Sequence, residues 1–301
     1  MKKQLAVLVI ITLFFSCKNE KQNNGKLNIV TTTTMITDLV KNIGGQHINL
    51  QGLMGSGVDP HLYKASEGDV TKLSQADIIF YNGLHLEGKL VEVFEKMNTK
   101  KTVAISSVLD KNTLIGSEYF ASNYDPHIWF NIEYWKQATQ FVVSTLSEAI
   151  PEQNSTFQAN GNAYIAQLNA LKNKLENTIS QLPKEERILV TAHDAFNYFG
   201  KAFNFQVVGL QGLSTATEAG VQDVQKLSNF IIENKVKAIF VESSVPKRTI
   251  QALQAAVKSK GHNVTIGGTL YSDALGNAGT VEGTYIGMFE YNVNTIVEAL
   301  K

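Results

Sequence analysis

Two short segments of the chain contain the same three residues, Asp-Pro-His. The first segment reads GVDPHLYKAS and contains His61, and the second reads NYDPHIWFNI and contains His127. Proline fixes the backbone φ angle beside each histidine, so each imidazole is held in a defined direction. Neutral imidazoles are common ligands of divalent transition metals, so these two histidines are candidate metal ligands.

Two further candidate ligands lie in the second half of the chain. His193 lies in LVTAHDAFNYFG and Asp273 lies in GGTLYSDALG, each just after a β-rich run. Proteins with open α/β sheets bind small molecules and ions beyond the C-terminal ends of the strands. All four candidate residues follow the C-terminal ends of predicted strands. Three imidazoles and one carboxylate suit a divalent transition metal. A single histidine in a loop is usually only a surface residue and would not indicate a metal site. The prediction of a metal site therefore rests on the equivalent positions of all four residues at strand ends.

Other polar residues lie close to these candidates in sequence. Asp59 and Asp125 could each accept a hydrogen bond that orients an imidazole, or could simply stabilise a turn. Glu242 follows a predicted strand and could lie near the metal or cap a helix. His85 is interpreted as a structural loop residue. Two further histidines in polar linkers are expected to be solvated: His47 and His262.

The elements that must position these residues alternate between strand and helix. In the first half the β-rich runs are LNIV, INLQGLM, DIIFYNG and TVAIS. In the second half they are RILVTA, FQVVGL, KAIFVESS and NVTIGGTLY. Such alternation predicts parallel sheets that are covered by helices. Between the two sets, residues 151–183 carry apolar side chains at spacings of three, four and seven, which predicts one long helix between Pro151 and Pro183.

The predicted fold class is therefore α/β, with two Rossmann-like parallel-sheet lobes joined by one long, rigid helix. The chain is long enough for two such lobes and a sizeable core. Five segments are predicted: a signal peptide over 1–16, a tether over 17–26, an N-terminal metal-binding lobe over 27–150, a linking helix over 151–183 and a C-terminal metal-binding lobe over 184–301.

The N-terminus has the features of an export signal. Met-Lys-Lys precedes an almost wholly apolar run from Leu5 to Phe15, which is shorter than the roughly 20 residues that span a bilayer. Cys17, the only cysteine of the chain, follows this run and the small residue Ser16, and it resembles the cysteine of a bacterial lipobox, which is lipidated. The alternative is a buried apolar cysteine. Residues 18–26 are polar and are predicted to form a flexible tether.

Composition and motifs exclude some classes of function. Lysine plus arginine equals aspartate plus glutamate at 27 residues each, so the formal net charge is zero. A nucleic-acid-binding protein is expected to show a basic surplus, so no nucleic-acid partner is predicted. GSGVDP lacks the Gly-Lys-Ser/Thr ending of a phosphate-binding loop, and no GxGxxG motif follows a predicted strand. The chain is therefore not expected to hydrolyse ATP itself.

Segments along essentially the whole mature chain resemble one known family. They are, in that family's order, DPHLYKAS, YNGLHLEGKL, DPHIWFN, VTAHDAFNYFGKAF, GLQGLSTATEAG, FVESSVPKRTI, GGTLYSDALG and GTYIGMFEYNVNTIVEAL. The chain resembles the TroA-like, cluster A-I solute-binding lipoproteins of bacterial zinc and manganese ABC importers. The resemblance implies two α/β lobes that hold a metal ion in the cleft between them. The ligand positions of that family fall on His61, His127, His193 and Asp273.

The resemblance also implies partners and a location. A permease and an ATPase in separate chains would supply the energy of transport, and the chain would dock on them as a metal-loaded monomer. A lipid on Cys17 would anchor it outside the cytoplasm, in the periplasm or on the cell surface. The stiff helix implies that closure around the metal is a local loop adjustment.

The third ligand position bears on which metal is bound. In the family it is histidine in zinc-type members and glutamate in many manganese-type members, and here it is His193. Imidazole-rich sites suit zinc, whereas oxygen donors favour manganese. Two observations point away from zinc: the same set also occurs in members that take either metal, and residues 107–124 lack the histidine-rich loop found in many zinc-specific relatives. The ligand at the third position still decides the order. Zn²⁺ is therefore the first expectation and Mn²⁺ the second.

Two other functions are considered. A hydrolase could use a metal-bound water with Glu242 or Asp194 as the base. Four protein ligands leave no free position for that water, so the chain is not expected to be an enzyme. A surface-tethered lipoprotein could also act in cell adhesion, with a structural metal.

Since imidazole titrates near pH ~6.5, metal affinity is expected to fall below about that pH.

Overall fold

The computed structural model describes residues 25–95, 101–118 and 120–301. These residues form two four-stranded parallel sheets, in the strand orders β2-β1-β3-β4 and β6-β5-β7-β8. The strands are β1 (Leu27–Thr31), β2 (Ile48–Gly52), β3 (Ile78–Tyr81), β4 (Lys101–Ala104), β5 (Ile188–His193), β6 (Gln206–Gln211), β7 (Ala238–Glu242) and β8 (Thr265–Leu270). The predicted α/β architecture with two parallel-sheet lobes is confirmed.

Helices connect the strands and cover the sheets. They are α1 (Thr34–Gly44), α2 (Glu67–Gln75), α3 (Gly88–Glu95), α4 (Ile132–Ala149), α5 (Asn154–Ile179), α6 (Asn197–Phe203), α7 (Val221–Glu233), α8 (Arg248–Ser259) and α9 (Tyr285–Leu300). Polar side chains accept backbone N–H bonds at several helix starts, as with Thr33 before α1, Asn131 before α4 and Thr284 before α9. Within the described part of the chain, none of the helices combines the length and apolar character needed to cross a membrane. The predicted signal peptide, Cys17 and most of the tether lie outside the described residues.

Helix α5 is shorter than the sequence pattern predicts. A single 3₁₀ turn over Pro151–Gln153 precedes it, and the helix itself has 26 residues and is about 39 Å long. It ends at Ile179, four residues before Pro183, which has no N–H to bond the carbonyl oxygen of Ile179 and so cannot continue the helix. The apolar spacing is reproduced in its buried residues, which are Phe157, Gly161, Tyr164, Leu168, Leu171, Leu175 and Ile179.

One cluster of buried apolar side chains extends through both lobes. It includes residues of α1 and α4 from the first half, of α5, and of α6 and α9 from the second half. The rings of Trp135 and Tyr285 stack at 5.0 Å with an interplanar angle of 12°, and those of Phe130 and Phe196 lie 4.4 Å apart. Two smaller clusters are each confined to one sheet and its own helices. The lobes are therefore joined by a shared core as well as by α5.

Removal of a side chain from the shared core should destabilise both lobes together. Leu168 of α5 is fully buried in this cluster, so Leu168→Ala is expected to lower the free energy of unfolding by about 2–5 kcal/mol. The exposed neighbour Asn169 provides the control, and Asn169→Ala should change it by no more than about 0.5 kcal/mol. Urea unfolding followed by tryptophan fluorescence and by circular dichroism checks this. Two separate transitions, one for each lobe, would contradict the shared core.

Candidate metal centre

The structure brings the four candidate ligands together. One potential ligand atom from each of His61, His127, His193 and Asp273 lies within 4.8 Å of the other three. His61 and His127 lie in the connections after β2 and β4, His193 is the last residue of β5, and Asp273 lies three positions after β8. All four side chains are buried. The structure therefore brings together the four residues that the sequence singled out.

The four facing atoms have no hydrogen-bond partner within the described part of the chain. They are Nε2 of His61, His127 and His193, and Oδ1 of Asp273. His193 Nε2 lies 3.3 Å from Oδ2 of Asp273, and His127 Nε2 lies 3.6 Å from its Oδ1, as ion-pair contacts without hydrogen-bond alignment. A buried polar atom without a partner costs roughly 1–3 kcal/mol, so four that converge indicate a site built for a cation. Three nitrogen atoms and one carboxylate oxygen fit a divalent transition metal.

The repeated Asp-Pro-His triplet forms the same turn twice. Asp59 Oδ1 accepts a hydrogen bond from the backbone N of His61 at 2.8 Å. Asp125 Oδ1 accepts one from the backbone N of His127 at 2.9 Å. An aspartate that bonds the backbone two residues further on forms a side-chain-closed turn, which aims the next side chain. The same type of turn therefore directs both imidazoles into the centre.

Two buried carboxylates also hold imidazole rings. Oδ1 of Asp125 accepts a 2.7 Å hydrogen bond from Nδ1 of His127. Glu242 Oε1 accepts a bond from the backbone N of His193 at 2.9 Å, and its Oε2 lies 2.6 Å from Nδ1 of that ring. Carboxylates that take Nδ1 leave Nε2 directed at a metal. Asp59 differs, because its second oxygen accepts a 2.5 Å bond from Thr215 Oγ1.

Burial and neighbouring charges shift the pKa values of His61 and His193 in opposite directions. Burial lowers the pKa of His61 to about 3, so this imidazole is neutral. Burial also disfavours a charged His193, but the carboxylates of Asp273 and Glu242 outweigh it and raise the pKa of His193 well above its usual value. Burial opposes ionisation of Asp273 as well, but His193 and the other two histidines hold its pKa below the usual range. Without a metal, His193 and Asp273 therefore form a buried ion pair at neutral pH.

The remaining histidines lie outside this group of four. His85 is exposed, with its ring 6.2 Å from that of Phe120. The prediction that His47 and His262 are solvated is wrong, because both are half-buried. The His47 ring packs edge-on against Phe157 of α5 at 6.2 Å, and His262 Nε2 is buried. Polar sequence neighbours do not reveal such tertiary packing.

Several residues near the centre were not identified from the sequence. Trp129 lies 5.2 Å from the ring of His127, and its Nε1 donates a 2.9 Å bond to the backbone oxygen of Ser272, next to Asp273. Ser244 Oγ donates to Oδ2 of Asp273 at 3.3 Å. The position of Trp129, two residues after the candidate ligand His127, was a signal in the sequence for their contact.

Asp194, which was considered as a catalytic base, instead accepts a 2.7 Å hydrogen bond from the backbone N of Gly209.

Known proteins are similar to this chain in sequence. Residues 29–299 match the family model described as "Zinc-uptake complex component A periplasmic", ZnuA. The manganese-binding lipoprotein MntA of Bacillus subtilis is 47% identical over 282 residues, which cover 93% of this chain and 92% of that protein. The zinc-binding protein TroA of Treponema pallidum is 46% identical over 297 residues, which cover 98% of this chain and 96% of that protein.

Solved structures agree with the sequence comparisons. The structure of the periplasmic zinc-binding protein TroA from Treponema pallidum superposes with a TM-score of 0.89 at 48% identity, and the match covers 92% of this chain and 99% of that one. The same two-lobe fold with parallel sheets is thus present in both proteins. The matched family model spans nearly all of the described residues. The chain therefore belongs to the ZnuA/TroA family of metal-binding substrate-binding proteins of ABC transporters.

Proposed function

We propose that this protein captures a divalent transition metal ion, Zn²⁺ first and Mn²⁺ second, and delivers it to an ABC permease. The ion is the transported substrate, and the residues that hold it are His61, His127, His193 and Asp273. The observation that carries the proposal is the convergence of four buried ligand atoms that have no hydrogen-bond partner among the described residues. Hydrogen bonds within the protein would otherwise be expected to satisfy such atoms.

The donor set supports zinc ahead of manganese. Three imidazole nitrogens and one carboxylate oxygen form the four-coordinate N/O site that zinc prefers, whereas manganese favours oxygen ligands. Two relatives at nearly the same identity, 47% and 46%, are named for manganese and for zinc. Their overall similarity therefore does not rank the two metals, and the ranking rests on the ligands. Asp125 and Glu242 would support the centre by keeping Nε2 of His127 and His193 directed at the ion.

The protein would act outside the cytoplasm as one component of a transporter. Residues 1–16 would be removed as a signal peptide, Cys17 would carry the lipid anchor, and residues 17–26 would be the tether. The relative MntA is named as a lipoprotein, which supports this assignment. The lobes would span 27–150 and 184–301, joined by the segment 151–183. A permease and an ATPase in separate chains would move the metal, which this chain would bring as a monomer.

We also propose that the chain is not an enzyme. A catalytic zinc site keeps one coordination position free for water or substrate. Four protein ligands fill a tetrahedral site, and Asp194 is engaged with the backbone N of Gly209. The centre is therefore suited to holding and releasing an ion.

A competitive titration tests the proposed function. Metal-stripped protein should bind one equivalent of zinc, more tightly than manganese, against a calibrated chelator. His61→Ala and Asp273→Ala each remove a ligand, so affinity should fall by more than the roughly 10–100-fold expected for loss of a supporting partner. His85→Ala, at an exposed histidine outside the group, is the matched control and should bind like the wild type. Absence of tight binding of either metal would overturn the transport function and favour the adhesin.

Metal binding should release a proton from His193. Because its raised pKa keeps His193 charged at pH 7 in the metal-free protein, binding is expected to release about one proton per ion. Affinity should therefore rise with pH, by about tenfold per unit, until the pH passes the pKa of His193, while Asp273 stays ionised throughout. Calorimetry in buffers of different ionisation enthalpy measures the released protons. An affinity that is constant between pH 5 and 8 would contradict this assignment.

The Glu242 carboxylate should account for part of that release. Glu242→Gln removes one of the two negative charges that raise the pKa of His193, so fewer protons should be released at pH 7. The same change should weaken zinc binding by about 10–100-fold, because the glutamine supports the imidazole less well. The pair of measurements is informative, since unchanged proton release in this variant would show that Asp273 alone sets the charge of His193.

A further inference from the structure

His61 is held in the centre in a different way from the other two histidines. The rings of His127 and His193 have Asp125 and Glu242 beside their Nδ1 atoms. For His61, the hydrogen bonds of the described residues include no such carboxylate at the ring. Its backbone N instead donates to Asp59. The position of His61 therefore depends on the conformation of its loop.

That loop reaches across the cleft to the second lobe at two points. Asp59 Oδ2 accepts the 2.5 Å hydrogen bond from Thr215 Oγ1, in the connection between β6 and α7. Gly57, with φ +71°, faces the residue after β7, where an added Cβ would make an ordinary van der Waals contact, at 3.4 Å, with the backbone oxygen of Ser243. One oxygen of Asp59 thus holds His61 and the other contacts the opposite lobe.

Thr215 is placed for this contact by its own loop. It is only 8% exposed, whereas Ala216 and Thr217 beside it are exposed. Gln211 Nε2 donates a 2.9 Å bond to the backbone oxygen of Thr217, which fastens the loop to the end of β6. Gln211 pairs in register with His193 on the neighbouring strand. The loop that carries Thr215 is therefore fixed to the strand pair that carries a ligand of the second lobe.

We propose that Thr215 is a positioning residue that holds His61 in the metal centre through Asp59, and that the ion leaves when the Thr215–Asp59 hydrogen bond breaks. The inference rests on the proposed function. The shared core holds the two lobes together, so their separation would disrupt buried aromatic contacts. Breaking one hydrogen bond at the cleft frees His61 at far lower cost. Thr215 would then govern how long a bound ion stays.

The test is the rate at which zinc leaves the protein. Zinc-loaded protein is mixed with a large excess of a chromophoric chelator, and the dissociation rate constant is followed by stopped flow. Thr215→Val keeps the shape of the side chain but removes the donor, so dissociation should be about 10- to 100-fold faster, the effect expected for loss of a hydrogen bond to a charged group. Thr217→Val makes the same change two residues away, and it should leave the rate within about twofold of the wild type.

Two further variants separate positioning from a general structural effect. Thr215→Ser keeps the hydroxyl and should restore slow dissociation. Asp59→Ala removes both the oxygen that holds His61 and the one that accepts from Thr215. In that background Thr215→Val should have no further effect, because residues that act through one contact are not additive.

The possible outcomes distinguish this inference from the proposed function. Equal dissociation rates for Thr215→Val and Thr217→Val would overturn the inference, even though the wild type binds zinc tightly. Additive effects of Asp59→Ala and Thr215→Val would overturn it as well, because Thr215 would then act independently of Asp59. A wild-type protein that fails to bind zinc or manganese would instead refute the proposed function.

Discussion

The structure depends on the burial of three imidazoles and one carboxylate whose ligand atoms face one another. Such a group is costly in a protein interior, since desolvation penalises each charged form and each unpaired polar atom. The site offsets part of this cost by pairing a charged His193 with Asp273, while burial keeps His61 neutral. Buried carboxylates then fix the rings of His127 and His193. A bound dication would replace the proton as the positive charge at the centre.

The metal-ligating side chains come from both lobes, so they face one another only if the two sheets are held at a fixed distance. The side chain of Trp129 supplies a direct connection, because its Nε1 donates to the backbone oxygen of Ser272, one residue before Asp273. The hydroxyl of Tyr285 donates a 2.6 Å bond to the backbone oxygen of Trp129. These bonds join the segment that carries His127 to the segment that carries Asp273. The aromatic core thus sets the spacing of the ligands as well as the stability of the fold.

Much of this arrangement was predictable from the sequence, because parallel strands end at a common edge and polar residues there must converge. The eight predicted strands agree with the observed ones to within two residues at each end. The different roles of Asp59 and Asp125 were not predictable, since the local triplet is the same and only the tertiary neighbours differ. Thr215 likewise lies in GLSTATEAG among other hydroxyl-bearing residues, and nothing local distinguishes it from Thr217. Pro183 did predict that the linking helix ends, but the last helical residue, Ile179, lies four positions before the proline.

The shared hydrophobic cluster has a consequence for how such a protein can change during evolution. Its two sheets look like separable modules, but α5 packs against α1 and α4 on one side and against α9 on the other. A lobe taken from a relative would therefore have to match the facing aromatic surface as well as supply its two ligands. Recombination between lobes is constrained by shape at this interface. Metal preference in this architecture is consequently easier to alter by substitution within the cleft than by exchange of whole lobes.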